Sequence, residues 1–512
     1  MKKRLTALAL ATLMLLSLAA CGTTPDNDAG SGQKILRLAA SFAYPSLDAH
    51  KEYYGWYTSN YGITETLFRI DDNSAMQPLL AEKAEASEDG LTWTVTLKDG
   101  VRFSNGSAVT AEMAVRNLQR AAEVNSRFAY LAEYDMAAVD EKTLTITTPE
   151  VYPTMLNELA SPELAIMDLD GSADLDNAPV ATGPFVIKSF QPEGTVEVAR
   201  NESYWGGEVK LDGAVFYYMQ EDEPKLMAMQ NGEIDAYTSV TAAAREIFLS
   251  DPDNYQLADI PATRLQFYIL NETTMDDAVR AAVNLAVDCE AMAAYLGGTV
   301  SPAVGPFSTS AAYGKVTKPA PDAEKARALL EQDGYTLNGD GLYEKDGQPL
   351  TLTVAYYAAR SLDSIAVLMQ EQLKAIGITV TFNCQEDPDA TYIANRDFDI
   401  ALYCMIADKN GDPYYFIDST LRKGGYFDVG GFDSAECQQL IQQLIQQLRY
   451  ETDEAQRAAL ANRIVQLAID DNAFGYVGLF NKTTVMRKGV SNISENCPFD
   501  FYYINAATDI TA

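Results

Sequence analysis

The chain has 512 residues, too many for one hydrophobic core, and this length predicts a globular protein of two or three domains. Acidic residues outnumber basic residues, 72 to 38, and the net charge of −34 argues against binding to nucleic acid, whose phosphates attract Lys and Arg. The one histidine, His50, excludes a site built from several histidines, and no GxSxG or HExxH motif accompanies it. We expect His50 to lie at the surface or to have its hydrogen bonds satisfied within the protein.

The N-terminal segment has the pattern of a secretory signal. A basic start at 2–4 precedes an apolar run over 5–20, which is shorter than the about 20 residues that span a bilayer. The motif LAAC, which ends at Cys21, resembles the lipobox of bacterial lipoproteins. This resemblance implies a signal peptide over 1–20 and acyl chains on Cys21 that anchor the protein to the extracytoplasmic face of the cell membrane, in the periplasmic space if an outer membrane exists. The alternative is an ordinary cleaved signal with a chance cysteine. The polar segment that follows predicts a flexible tether over 21–33.

The first part of the body predicts short strands and a capped helix. Weak alternation over 35–39 predicts the first strand, and apolar residues at every second position over 91–97 predict a strand with one buried face. An Asp-Gly turn follows, and Val101 and Phe103 are expected to start a return strand. Thr110 is typical of the N-cap of a helix.

The second half of the chain alternates strands and helices. Asp322 is expected to cap a helix, a strand is predicted over 350–354, and a helix over 361–377 leads into a further strand. A long helical stretch, rich in Gln and Leu, is predicted over 435–469. The recurring order of strand, helix and strand predicts an α/β protein.

Five cysteines follow Cys21, and none has the CxxC spacing of a zinc or redox motif. We expect buried free thiols. A Cys384–Cys404 disulfide is the alternative.

Several segments, taken in chain order, resemble the solute-binding proteins of ABC importers, in the peptide/nickel-binding family. They lie within 35–504 and read DGLTWTVTLKDGVRFSNG, TGPF, NESYWGG, NGEIDAY, AVRAAVNLAVD, DAEKARALLEQDGY and LMQEQLKAIGITV. The chain departs from the family pattern at Met113, where an acidic residue is usual, and at Ser104-Asn105, where His-Asp is frequent.

The resemblance implies a two-lobe fold of the periplasmic-binding-protein type (type II, cluster C), with an extra domain inserted in the first lobe. The implied boundaries are 34–72, 182–275 and 472–512 for lobe one, 73–181 for the inserted domain, and 276–471 for lobe two. Two crossing strands, near 270–278 and 468–480, are expected to join the lobes and to let them close on a ligand.

The same resemblance implies the substrate-binding lipoprotein of an ABC importer. Such a protein captures short peptides, or a nickel or other metal chelate, in the cleft between its lobes and delivers them to the permease in the membrane. We expect a monomer with no enzyme activity, no cofactor and no metal held by the protein alone. The alternatives are a ligand-binding sensor or adhesin without transport, and a hydrolase on the same scaffold, against which the single histidine counts.

One candidate site segment is CMIADKNGDPYYF, at 404–416. By resemblance to the peptide binders of the family, Asp408 is expected to bind the ammonium group of a peptide, although one extra residue precedes the GDP turn. The alternative is a turn acid that caps its own loop. Tyr414 and Tyr415, next to this loop, are expected to form part of the cleft wall.

A second candidate segment, NSRFAYLAEYDM with YPTMLNELASPEL, resembles the nickel branch of the family. In that branch an arginine at the position of Arg127 grips the carboxylates of a metal chelator, and the alternative for Arg127 is a surface salt bridge. The second arginine of the branch has no counterpart, because Glu163 and the residues after it stand in its place, and the metal-binding histidine is missing too. Trp56 and Tyr57, from an aromatic segment, are also expected to line the cleft.

Overall fold

The computed structural model of the protein describes residues 33–41, 43–428, 435–494, 497–499 and 503–511. The predicted signal peptide, Cys21 with its lipid, and nearly all of the tether lie outside the described residues. Within the described ranges, no helix is both long and apolar enough to cross a membrane.

One sheet of eleven strands runs through the molecule, with helices packed against it. From edge to edge its path is Thr379–Cys384, Thr351–Tyr356, Ile400–Ile406, Tyr255–Leu270, Phe474–Arg487, Ala236–Thr238, Ile35–Ala40, Gly213–Tyr218, Val196–Arg200 and Phe185–Phe190, and Val300–Pro302 pairs with Phe474–Arg487 off this path. Parallel and antiparallel pairs both occur in it. This mixed sheet confirms the predicted α/β class.

Two long strands in the middle of the sheet join its two halves. Tyr255–Leu270 and Phe474–Arg487 pair antiparallel along nearly their whole length. The register shifts between Pro261 and Leu265, so that residues 262–264 bulge out of the ladder. These crossing strands carry the connection between the lobes.

The sequence placed the first crossing strand wrongly, near 270–278. The strand ends at Leu270, and the helix Asp277–Ala286 starts soon afterwards. Asp276 caps this helix by accepting a hydrogen bond from the backbone N–H of Val279 at 3.1 Å. The second crossing segment is also shifted, because the helix before it continues to Asp470.

A separate four-stranded antiparallel sheet contains Ala81–Ala86, Thr92–Leu97, Thr143–Thr147 and Asp135–Ala138 in that order. The predicted strand near 91–97 is therefore confirmed, but the return strand predicted at Val101 and Phe103 is wrong. Both side chains are buried, yet the backbone N–H of Phe103 bonds to Ser107, and the chain turns back on itself. The true neighbours of the strand come from further away along the chain.

The remaining strands are short pairs outside the large sheets. They are Phe68–Ile70 with Met76–Pro78, Thr336–Leu337 with Tyr343–Lys345 and Gln348–Pro349, and Val490–Ser491 with Asp509–Ile510.

Twelve α-helices lie in the described part of the chain. They are Tyr54–Asn60, Ala111–Val124, Met155–Leu159, Asp222–Gln230, Ala242–Leu249, Asp277–Ala286, Cys289–Tyr295, Ala323–Gln332, Leu362–Ala375, Tyr414–Leu421, Ala435–Tyr450 and Glu454–Asp470. Short 3₁₀ segments occur at Ser126–Glu133, Pro162–Leu164 and Ala312–Gly314, and a π turn at Asp389–Ile393.

The predicted helix caps are confirmed. Thr110 accepts a hydrogen bond from Met113 N at 3.3 Å, and Asp322 accepts one from Lys325 N at 2.9 Å. The helical stretch predicted over 435–469 is confirmed, and it consists of the two helices Ala435–Tyr450 and Glu454–Asp470. Asp453 caps the second of them, accepting from Gln456 N at 2.9 Å, and the chain turns just before it.

Separate hydrophobic cores lie along the molecule, as the chain length predicted. One contains the four-stranded sheet and the helix Ala111–Val124, with Val95 and Leu118 buried. The others pack on the two halves of the large sheet. Below, the first lobe is the half that contains Ile35–Ala40, the second lobe is the half that contains Ile400–Ile406, and the inserted unit is the four-stranded sheet with its core. The detailed domain boundaries stay a prediction.

The cysteine side chains that the structure describes are free thiols. Cys289, Cys404 and Cys497 are buried, and Cys384 is exposed. The expectation of buried free thiols therefore holds for three of these four; it is wrong for the exposed Cys384, and the alternative Cys384–Cys404 disulfide is wrong too.

Candidate functional site

A cavity of about 680 Å³ lies between the lobes, beside the crossing strands. Its walls come from the helix Tyr54–Asn60, the inserted unit, the bulge at 262–264 and the loop after Ile400–Ile406. The aromatic residues in its walls are Tyr53, Trp56, Phe128, Tyr130, Tyr152, Tyr415 and Phe499. The charged ones are Arg127, Arg264, Lys409, Glu158, Glu163 and Asp408. We call it the cleft cavity, and its volume is typical of small-molecule sites.

A second cavity, also of about 680 Å³, lies beside Cys289 and Lys318. It shares no lining residue with the cleft cavity, and its walls come from the second lobe and the crossing strands. Movement of the lobes against each other would not close it. The cleft cavity is therefore the better candidate for a site that closes on a ligand.

Asp408 lies in the wall of the cleft cavity, with both carboxylate oxygens already bonded. Oδ2 accepts from the hydroxyl of Tyr313 at 2.5 Å, and Oδ1 accepts from the backbone N–H of Gly411 at 2.8 Å. Burial raises the pKa of Asp408 to about 7, although hydrogen bonds from Tyr313, Gly411 and Ser74 oppose this rise. These contacts are those of an acid that caps its own loop. A role in binding an ammonium group stays a prediction.

The loop after Asp408 approaches the inserted unit closely at Gly411. This glycine has a φ of +75°, and a Cβ placed on it would lie 3.0 Å from the backbone oxygen of Ser74. A side chain here would push the loop away from the inserted unit. The GDP turn, which starts at Gly411, is thus a point of contact between the two sides of the cleft.

Arg127 lies in the opposite wall and is paired with a buried acid. Its Nη1 is 2.5 Å from Oε1 of Glu163, whose side chain is 2% exposed, and its guanidinium lies 4.2 Å from the centre of the Tyr53 ring. Burial raises the pKa of Glu163, and the charge of Arg127 opposes this. The salt bridge that was one alternative for Arg127 is therefore present, but inside the cleft rather than on the outer surface.

The predicted aromatic residues divide into two groups. Trp56 and Tyr415 line the cleft cavity. Tyr57 lies outside its lining and stacks on Tyr44, with ring centres 3.7 Å apart, and Tyr414 lies outside it too, donating a hydrogen bond of 2.9 Å to Asp418. Each of these two tyrosines is the direct helix neighbour of a wall residue, and neighbours on a helix point in different directions. Tyr414 instead lines a neighbouring cavity together with Tyr152 and Arg449.

Sequence reasoning missed several charged residues of the wall. Arg264 comes from the bulge in the crossing strand, Lys409 follows Asp408, and Glu158 accepts a very short hydrogen bond from Tyr130. Lys409 could have been suspected from its position in the candidate loop. Arg264 had no local signal, because the register shift that presents it depends on the partner strand.

The described residues contain no group of three or more His, Cys, Asp or Glu side chains that could hold a metal ion. The only histidine is buried and satisfied. Arg120 donates to Nδ1 of His50 at 2.8 Å, so Nε2 carries the proton and donates to the carbonyl of Ala165 at 2.9 Å. Burial lowers the pKa of His50 to about 4. A surface position, one of the two expectations for this residue, is thus wrong.

Two lobes joined by crossing strands, with a charged and aromatic cavity between them, define the class of two-lobe solute-binding proteins. The family model of bacterial extracellular solute-binding proteins, family 5, matches residues 75–428, and the chain belongs to this family.

Individual relatives are similar over most of the chain. The chain is 26% identical over 455 residues to the nickel-binding protein NikA of Staphylococcus aureus, covering 88% of this chain and 89% of that protein. It is 28% identical over 326 residues to the glutathione-binding protein GsiB of Salmonella typhimurium, covering 61% of this chain and 62% of that protein.

Solved structures agree on the fold. The structure of a nickel ABC transporter protein from Bacillus halodurans has a TM-score of 0.85 at 28% identity, and covers 93% of this chain and 100% of that chain. The unliganded open form of the murein tripeptide binding protein MppA has a TM-score of 0.80 at 19% identity, and covers 94% of this chain and 98% of that one. The second likeness concerns the fold alone.

Proposed function

We propose that this protein is the solute-capturing component of an ABC importer and that it takes a small, carboxylate-bearing solute into the cleft cavity. The observation that carries the proposal is a cavity of about 680 Å³ whose walls come from both lobes and from the crossing strands. A ligand that contacts both walls stabilises the closed arrangement, and only such a ligand shifts the lobes towards it. The closed form then docks on the membrane permease.

A short peptide is the first candidate for the ligand. Aromatic rings in the wall offer apolar contact for its side chains, and the cationic residues offer partners for its carboxylate. Similarity to a glutathione-binding protein supports this class of ligand. Asp408 is the proposed partner of the ammonium group, and it would bind the ligand in exchange for part of its present hydrogen bonding.

A metal held by its own organic chelator is the second candidate. It is favoured by the similarity to nickel-binding relatives, which extends over more of the chain, and by the engaged oxygens of Asp408. Since the described residues offer no group suited to a bare metal ion, the metal would arrive with its ligands, and the carboxylates of the chelator would meet the cationic side chains.

The placement in the cell is also proposed. Cleavage before Cys21 and lipid on its thiol would hold the protein on the extracytoplasmic face of the cell membrane, with the tether giving it reach. The protein would act there as a monomer, without enzyme activity, and would release its solute to the permease. Mass spectrometry of the mature protein would show the mass of the acyl groups on its N-terminal residue.

The proposal is tested by native mass spectrometry of ligand carried through purification, followed by uptake of that ligand in a strain that lacks the protein. We expect a bound peptide, or a metal with a carboxylate chelator, and loss of its uptake on deletion. Binding with unchanged uptake would point to a sensor or adhesin. Cleavage of a bound peptide would point to a hydrolase.

A further inference from the structure

Two of the three cationic side chains in the cleft cavity have no acidic partner within the described part of the chain. Among the described residues, no ion pair joins Arg264 or Lys409 to a carboxylate, whereas Arg127 is paired with Glu163. Lys409 is exposed and lies 5.7 Å from the centre of the Tyr415 ring. Arg264 is half-buried, and its positive charge lies close enough to Cys404 to oppose the burial that raises the pKa of that thiol.

The backbone presents Arg264 to the cavity by means of the bulge. Pro261 pairs with Asn481 and Leu265 pairs with Leu479, so that three residues of one strand stand opposite one residue of the other. Ala262, Thr263 and Arg264 all line the cleft cavity. Bulges next to binding sites commonly aim a side chain into the site, and this one lies on the strand that connects the lobes.

A guanidinium that is half-buried without a counter-charge is costly. A neighbouring acid normally compensates a buried guanidinium for its lost hydration. Near Cys404, however, the second charged group beside Arg264 is another cation, Arg360. Among the described residues, the second-lobe wall thus carries two cations without an ion-pair partner, and its one acid, Asp408, already has both oxygens hydrogen-bonded, in a molecule whose net charge is −34. A bound anion would supply the missing counter-charge.

We propose that Arg264 and Lys409 together bind the carboxylate of the ligand, and that Arg127, held by Glu163, leaves this role to them. This inference rests on the proposed function and names the residues that read the negative end of the solute. The carboxylate of the ligand then lies against the second lobe and the bulge. The ammonium group of a peptide would lie close by, at Asp408, and the side chains would face Arg127 and the aromatic wall.

The test compares probes with and without a free carboxylate. The probes are a defined mixture of di- and tripeptides, the same mixture with C-terminal amides, nickel(II) with L-histidine, and nickel(II) with L-histidine amide. Binding to the full mature chain, freed of carried ligand, is measured by native mass spectrometry and calorimetry. The variants are Arg264→Gln and Lys409→Gln, with Lys374→Gln as a control, because it removes the same charge from an exposed position outside the cavity.

We expect the wild-type chain to prefer one of the free acids over its amide by at least about tenfold. Arg264→Gln and Lys409→Gln should each weaken binding of that acid by about tenfold or more and leave binding of the amide unchanged, and Lys374→Gln should change neither. Equal binding of acid and amide by the wild-type chain, or acid binding untouched in both cleft variants, overturns the inference while the proposed function stands. Failure of the wild-type chain to bind any probe overturns both.

Discussion

The side-chain amide of Asn157, in the inserted unit, donates a hydrogen bond of 2.8 Å to the backbone carbonyl of Asn410, in the second lobe. The side chain of Asn410 donates in return to the hydroxyl of Ser161 at 2.7 Å. Asn410 has a φ of +55°, a conformation that asparagine tolerates better than most residues. The protein's own groups thus hold the two sides of the cleft together, and we call these three residues the clasp.

Removing one of the two hydrogen bonds of the clasp should shift the ligand-free protein towards its open form. Asn410→Gly keeps the positive φ without strain and deletes the bond to Ser161, which is worth about 1 kcal/mol. We expect the ratio of closed to open molecules to fall about fivefold and the apparent Kd for ligand to rise by no more than that factor. Small-angle scattering without ligand should show a larger radius of gyration.

Arg449→Gln is the matched control for the clasp. It removes another contact across the cleft, the ion pair of 3.0 Å with Glu150, but both side chains of this pair are exposed. We expect the free energy difference between the closed and open forms to change by less than about 1 kcal/mol, and the scattering curve to stay the same. An equal effect of the two variants would show that the clasp has no special role.

Breaking the pair between Arg127 and Glu163 should destabilise the fold in a pH-dependent way. Arg127→Gln leaves a buried carboxylate without its counter-charge, and we expect a loss of about 2 kcal/mol in the free energy of unfolding at pH 8, below the value for a fully buried pair because Arg127 is 35% exposed. Burial already raises the pKa of Glu163, so protonation favours the folded state, and the loss should shrink as the pH falls through that raised pKa.

The double variant checks that the effect comes from this pair. Adding Glu163→Gln to Arg127→Gln removes the stranded carboxylate, and urea unfolding at pH 8 should recover most of the lost stability. If the double variant is less stable than Arg127→Gln by the full cost of a second substitution, the two residues are not coupled.

Asp408→Asn should alter how stability depends on pH. The folded pKa of Asp408, about 7, lies above the ordinary value of an aspartate, so its contribution to stability is complete below that ordinary value and is lost as the pH rises towards 7. The free energy of unfolding of the variant, relative to that of the wild type, should therefore rise by about 2–3 kcal/mol between pH 5 and pH 8. Thermal unfolding at the two pH values measures this, with Asp340→Asn, at an exposed position, as a control that leaves the difference unchanged.

The single histidine offers a direct titration. Since the chain has one histidine, its imidazole protons give one set of NMR signals that needs no assignment by mutation. We expect a midpoint near 4, because burial and the charge of Arg120 lower the pKa of His50. Stability linked to this group is complete above the unfolded pKa of about 6.5 and is lost as the pH falls towards 4. A midpoint near 6.5 would contradict the buried position.

Local patterns predicted the elements that depend on local residues. Period-two alternation located the strand Thr92–Leu97, and cap residues located the helices Ala111–Val124 and Ala323–Gln332. These local patterns could not predict which strands pair when the strands lie far apart in the chain. The return strand expected at Val101 failed because residues 143–147 pair there instead, and no residue near Val101 encodes that choice.

The site was predicted in part for the same reason. Trp56, Arg127, Asp408 and Tyr415 do line one cavity, because the family resemblance carried long-range information that single residues lack. The partner of Arg127 was visible in the sequence only as a departure from the family pattern at Glu163. In the structure the acid at this position neutralises the charge of Arg127, because the two side chains are 2.5 Å apart.

The connection through two distant strands also sets an order of events during synthesis. Ala236–Thr238 of the first lobe pairs with Phe474–Arg487, which leaves the ribosome only after the entire second lobe. The same strand also supplies Phe474, Tyr476 and Leu479 to the core of the second lobe, so neither lobe can finish folding before this strand has been made. Both lobes therefore reach their final packing together, when translation is nearly complete.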